Sequence, residues 1–143
     1  MDRHQLFQQF VAFTTAVHEV KHGMTKDLRG HDLTAVQYNI MEYITVSQPV
    51  TLSEISDCLH LSMPNASREM RKLLDKGLCT KDTAAEDRRV QYIRLSSQGQ
   101  ALMEGAFQRV EHRFQQHISH LYEHELKAVH DALQLLQTKV FRS

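Results

Sequence analysis

The sequence predicts a mainly α chain carrying one small β-hairpin. Three observations carry that expectation. The 143 residues include only five Gly and two Pro, so long stretches run without a breaker and favour helix. Most apolar residues recur at steps of three and four, the period of a helix with one buried face. Around residues 78–95 the period drops to two, the signature of strands.

Composition narrows the class. With 41% hydrophobic and 24% charged residues, the chain is an ordinary globular one and too apolar to be disordered. Its length suits about one domain. No apolar run reaches the roughly 18–20 residues of a membrane span. The start, Met1 to Gln5, lacks the basic-then-apolar layout of a signal peptide. A cytoplasmic location is expected. The two cysteines, Cys58 and Cys79, make no disulfide framework and read as reduced thiols. The formal net charge of zero argues against coating nucleic acid by bulk attraction. Yet residues 30–67 carry net −4 and residues 68–95 net +3. A local basic block of that kind can face phosphates.

The first helix carries Leu6, Phe10, Phe13, Val17, Val20, Met24 and Leu28 at near-heptad spacing, widened by Phe7 and Val11, and Gly30 ends it. Thr34 with Gln37 forms a capping box for a second helix, whose face is Val36, Ile40, Met41 and Ile44. Ser47-Gln48-Pro49 breaks it. Val50 to Leu52 is extended. Thr51 with Glu54 makes a second capping box, and Ile55 and Leu59 of the short helix behind it point inward. His60-Leu61 turns the chain.

Ser62 caps the next helix, with Pro64 in the first turn, where a missing N–H does no harm. At 100° per residue Ala66, Met70 and Leu73 share one face, with Leu74 beside it. Pro64, Arg68, Arg71 and Asp75 lie opposite, flanked by Asn65 and Lys72. Gly77 is the stop. Leu78–Lys81 and Arg89–Leu95 read as strands, and 82–88 as a charged hairpin tip. Ser96 caps a long helix with Leu102, Met103, Ala106, Phe107, Val110, Phe114, Ile118 and Leu121. The last helix carries Tyr122, Leu126, Val129, Leu133, Leu136 and Val140.

That order is a winged helix-turn-helix: one helix for the major groove and a hairpin for the flanking backbone or minor groove. The long helices around it exceed what such a module needs for its core. A helix of about 24 residues spans roughly 36 Å, and a second copy of the chain is the simplest partner for its seam. Residues 1–31 and 97–143 therefore read as a helical dimerisation region around a DNA-binding domain at 32–96.

The stretch from Leu33 to Leu102 resembles the MarR family of bacterial transcriptional regulators. The matching residues are Leu33-Thr34 with Gln37, Thr51-Leu52-Ser53-Glu54-Ile55 with Leu59, Leu61-Ser62, Ser67-Arg68, Leu73, and Lys76-Gly77-Leu78. Asp87-Arg88-Arg89, followed by Leu95-Ser96 and Gly99, is the most specific part. The resemblance implies a homodimer that binds a pseudo-palindromic operator in double-stranded DNA, a repressor by family habit, modulated by a small-molecule signal. It implies no enzyme activity and no cofactor.

Arg68 and Arg71 suit bidentate contacts to guanine. Asn65 suits adenine or a phosphate. Ser62 and the free N–H groups at its helix start suit a phosphate. Ser67, Pro64 and Lys72 complete that face, which would otherwise be a plain solvated one. By resemblance Arg89 enters the minor groove, steered by Asp87. The plainer reading is an ion pair that stiffens the hairpin. A narrow groove favours Arg through its negative potential. Lys81, Arg88 and Arg94 are candidate phosphate contacts. Pro64 and Ala66 depart from the family pattern and leave base specificity open.

Other readings stay in view. His120-Leu121-Tyr122-Glu123-His124 matches H-x-x-E-H, in which two His bind zinc beside a Glu base. It falls where two long helices join, and no room is left for a protease domain. His18 with His22, and His112 with His117, admit a regulatory zinc site, although scattered surface His is the plainer reading. Cys58 and Cys79 stand apart from the first helix, where the family's thiol-peroxide sensors keep their reactive cysteine. A small apolar or aromatic effector would find Phe13, Val17, Met41, Met103 and Phe107, which read equally well as core. A winged helix that binds protein and not DNA is the remaining alternative.

Overall fold

The structure is a computed structural model and describes residues 1–25 and 33–142. In order, the elements are α1 (Arg3–Thr25), α2 (Ala35–Ser47), α3 (Leu52–Leu59), α4 (Met63–Asp75), β1 (Cys79–Thr83), β2 (Gln91–Leu95), α5 (Ser97–His117) and α6 (Glu123–Leu136). A single π turn, Gln137–Phe141, follows α6. Leu28 and Gly30, assigned above to the end of the first helix, lie outside the described residues. Two compact units divide the chain, residues 1–110 and 111–143.

In the first unit, side-chain caps set the helix starts. Thr34 and Gln37 close one capping box on α2, and Thr51 and Glu54 close another on α3. Ser62 caps α4 with Pro64 in its first turn. Gly77 leaves α4 at φ +74, a conformation that favours glycine. At the end of α3 that role falls to His60, at φ 54. The core comprises Ile40, Met41 and Ile44 of α2, Ile55 of α3, and Ala66, Met70 and Leu73 of α4. Val50, Ile93 and Met103 join them. β1 and β2 pair antiparallel, from Cys79 opposite Leu95 to Thr83 opposite Gln91. Val50 adds a bridge, exchanging both backbone hydrogen bonds with Ile93 at 3.1 and 2.7 Å.

Several boundaries differ from the sequence reading. On α2 Val36 is 38% exposed whereas Gln37 is 2% exposed, because the amide finds partners across the interface that Val36 does not face. β1 runs on through Asp82 and Thr83, and β2 begins only at Gln91. Arg89 and Val90 therefore belong to the turn, where Val90 N–H donates to the Asp87 carbonyl at 3.0 Å.

The second unit holds the end of α5, a turn, α6 and the π turn. α5 stops at His117, so Ile118 and Leu121 sit in the turn and not on the helix. Tyr122 is the N-cap of α6 and not a stripe position. Its N–H donates to Glu125 Oε1 at 3.0 Å. Val140 lies in the π turn.

α1 has no buried residue. Leu6, Phe7, Val11, Phe13 and Val17 of its seam are all exposed, Phe7 to 60%. Lys21 ties α1 to Glu42 of α2 through an ion pair.

Candidate nucleic-acid interface

The amphipathic pattern of α4 divides it cleanly. Ala66, Met70 and Leu73 face the core. Ser62, Pro64, Asn65, Arg68, Arg71 and Lys72 are exposed, and Ser67 is half-buried. The Ser62 hydroxyl accepts the Asn65 N–H at 3.2 Å, so it is engaged as a helix cap. Lys72 Nζ lies 3.4 Å from Glu69 Oε1, one turn back on the same helix. Arg68 and Arg71 make no ion pair among the described residues, and both are exposed.

At the wing tip Asp87 grips Arg89 in three ways. Its Oδ1 accepts the Arg89 main-chain N–H at 3.0 Å and Nε at 3.1 Å, and Oδ2 accepts from Nη2 at 3.0 Å. Paired donors of this kind fit the planar guanidinium fork. These hydrogen bonds hold the Asp87 carboxyl below its ordinary range. The Arg89 side chain is nonetheless 91% exposed, so it is oriented without being used up. Arg88 beside it is exposed. Arg94 Nε lies 4.0 Å from Asp82 across the strands, which partly neutralises it.

A cleft of about 250 Å³ separates α4 from the strands. Ser67, Arg71, Asp75, Lys81 and Gln91 line it, over Leu52, Met70, Leu74 and Ile93. Arg71 of the helix and Lys81 of the wing thus border one groove. The sequence reading placed both at the interface without showing that they meet. It missed the hydrogen bonds behind α4, in which Gln37 donates to Glu69 and accepts from Lys76. The Thr34–Gln37 spacing showed only the cap.

The groups considered for sensing are spread out. Met41 and Met103 are fully buried, and Phe107 packs against the core. Phe13 and Val17 are exposed. A larger cavity of about 500 Å³ opens elsewhere, among His18, Lys21 and His22 of α1, Asn39, Glu42 and Tyr43 of α2, and Cys58 of α3. Among the described residues no three His, Cys, Asp or Glu side chains group to hold a metal. His112 and His117 lie on the last turns of α5. His120 lies in the turn before α6, and His124 stacks on Tyr122 at 5.9 Å. Cys58 is exposed, while Cys79 is buried. The Cys79 thiol donates to Met41 Sδ at 3.6 Å, and burial pushes it up to about 11. A thiol so placed is not a ready nucleophile.

The capped α3–turn–α4 pair, with a hairpin and a basic groove beside it, defines a winged helix-turn-helix protein. Residues 33–90 match the model of the MarR family, so this part of the chain is similar to that family. A helix-turn-helix-type transcriptional regulator of Staphylococcus aureus is 31% identical over 77 residues, 54% of this chain and 53% of that one. The chain thus spans about half the length of the curated relatives it matches.

Solved structures extend the fold likeness to nearly the whole chain. A MarR family protein from Bacillus stearothermophilus superposes with a TM-score of 0.81 at 15% identity, covering 99% of both chains. A mutant of the S. aureus regulator MepR, bound to an oligodeoxyribonucleotide, gives 0.61 at 24% identity, covering 92% of this chain and 97% of that one. No helix among the described residues is long and apolar enough to cross a membrane.

Proposed function

We propose that this protein is a homodimeric, cytoplasmic transcriptional regulator that binds a pseudo-palindromic operator and acts as a repressor released by a small-molecule signal. The observation that carries the DNA reading is the pairing of an exposed basic α4 face with an Arg89 that Asp87 orients toward solvent. A neighbour of the same fold is bound to an oligodeoxyribonucleotide. In this reading Ser62, Pro64, Asn65 and Ser67 place the start of α4 against the backbone. Arg68 and Arg71 read base edges. Lys72, Lys81 and Arg88 meet phosphates. Arg89, held by Asp87, enters the minor groove.

Residues 32–96 are the reading head, and residues 1–31 and 97–143 carry dimerisation. The exposed seam of α1 supports that assignment, since a stripe of this kind gains by covering. The test is selection of binding sites from random duplexes by the purified protein. The expected result is one palindrome with half-sites about one helical turn apart. Equal, salt-insensitive binding to selected and random duplexes would instead favour a protein-interaction module.

The cavity beside His18 and His22 is the place for the signal. A second reading, a zinc-responsive regulator of the same fold, would need ligands beyond His18 and His22, since no three metal-ligating side chains group among the described residues. Micromolar free zinc that changes neither operator affinity nor melting temperature would remove that version.

A further inference from the structure

We infer that Gln37, through Glu69 and Lys76, is a positioning residue that fixes the register of α4 for DNA recognition; this rests on the DNA-binding reading above. Its side-chain amide is buried and its polar atoms find partners on two helices. Oε1 accepts from the Thr34 main-chain N–H at 3.2 Å and from Lys76 Nζ at 3.1 Å. Nε2 donates to Glu69 Oε2 at 3.1 Å. The main-chain N–H of Gln37 donates to Thr34 Oγ1 at 3.1 Å. One residue therefore closes the cap of α2 and holds α4 at two points.

Those two points lie seven residues apart, roughly two helical turns. The remaining contact between α4 and the core is apolar: Ala66, Met70 and Leu73. Apolar attraction is non-directional. Hydrogen bonds are directional, and two of them along one helix oppose both sliding and rolling. The charges also fix which way the amide faces. The carboxylate of Glu69 takes the NH₂ end and the ammonium of Lys76 takes the carbonyl end, so a flip would face like against like. Glu69 stands directly after Arg68 and two residues before Arg71. Rotation of α4 that breaks the Glu69 contact moves both arginines off their base edges.

The test uses full-length protein and two duplexes: the palindrome selected by the wild type and a scrambled duplex of the same composition. Gln37→Met keeps the length of the side chain and removes its hydrogen bonds. Glu69→Met removes the partner. Glu69→Gln keeps an acceptor for Gln37 Nε2. Affinity for both duplexes and the melting temperature are measured. Gln37→Met and Glu69→Met are expected to lower the preference for the palindrome about tenfold or more, the worth of a hydrogen bond to a charged group. Scrambled-duplex affinity stays the same, and Glu69→Gln keeps the wild-type preference.

A residue that only stabilises the fold would shift the melting temperature and leave the preference of the folded protein intact. A folded Gln37→Met protein with wild-type preference overturns the inference. If that variant does not fold, wild-type preference in the more exposed Glu69→Met variant overturns it equally. A wild type with no preference for any duplex overturns the DNA-binding reading, and the positioning role falls with it.

Discussion

Gly99 stands so close to Leu78 that a Cβ on it would lie 2.0 Å from the Leu78 carbonyl oxygen. Ser96 brings them together. Its N–H donates to that carbonyl at 3.0 Å, and its hydroxyl donates to the Gly77 carbonyl at 2.6 Å while accepting the Gly99 N–H at 3.0 Å. The start of α5 is thereby fixed on the chain leaving α4. Gly99→Ala must push backbone aside and is expected to cost about 3 kcal/mol. A Cβ on Gly23 in α1 would meet nothing within 4 Å, so Gly23→Ala should gain roughly 0.5–1 kcal/mol. Urea unfolding of the two variants checks the opposite signs.

Arg89→Ala is expected to weaken operator binding far more than it lowers stability. The side chain is 91% exposed, and surface substitutions usually stay within about 0.5 kcal/mol. A large fall in melting temperature with intact DNA binding would contradict the assignment. Asp87 has a lowered folded-state pKa. The stabilisation linked to it is present above the ordinary carboxylate range and is lost as pH falls through the lowered value. The Asp87–Arg89 pair should therefore persist unchanged from pH 8 to pH 5, as NMR of the Asp87 carboxyl would show.

The two thiols should differ in reactivity. Cys58 is exposed and Cys79 is buried, so a thiol reagent at pH 8 should modify Cys58 rapidly and Cys79 only on unfolding. Because burial raises the Cys79 thiol from 9.0 to about 11, the folded state keeps a proton there that the unfolded chain has released. Stability linked to Cys79 is full below pH 9 and is lost as pH rises through 11. Cys79→Ser should flatten that alkaline slope.

His60 closes α3 at φ 54, where an L side chain is strained by roughly 1–2 kcal/mol. His60→Gly is expected to raise stability by about 1 kcal/mol, measured by thermal or urea unfolding.

Much of this fold is legible in the sequence because its signals are local. A hydroxyl three residues before Gln37, Glu54 or Asn65 names a helix start, and Gly77 names a stop, whatever lies around them. The wing pair is legible in the same way, since Asp87 and Arg89 are two residues apart. Properties set by distant partners are not. Nothing near Gln37 in sequence shows Glu69 or Lys76, so the apolar pattern points to Val36 as the inward residue in its place. The reach of β1 to Thr83 depends on facing Gln91 across the hairpin, and polar residues there carry no apolar alternation to reveal it. The groove shared by Arg71 and Lys81 follows from packing helix on strand, which neither segment encodes alone.

The Asp87–Arg89 clasp has a consequence for how such a protein can change over generations. Both side chains sit on a turn, pair with each other and leave the core untouched. In the proposed reading, substitutions at that tip alter the DNA sequence preferred without endangering folding. The buried amide of Gln37 has no such liberty, because the same bonds serve the cap and the helix behind it. Divergence toward new operators should start at the tip and reach the centre of the molecule last.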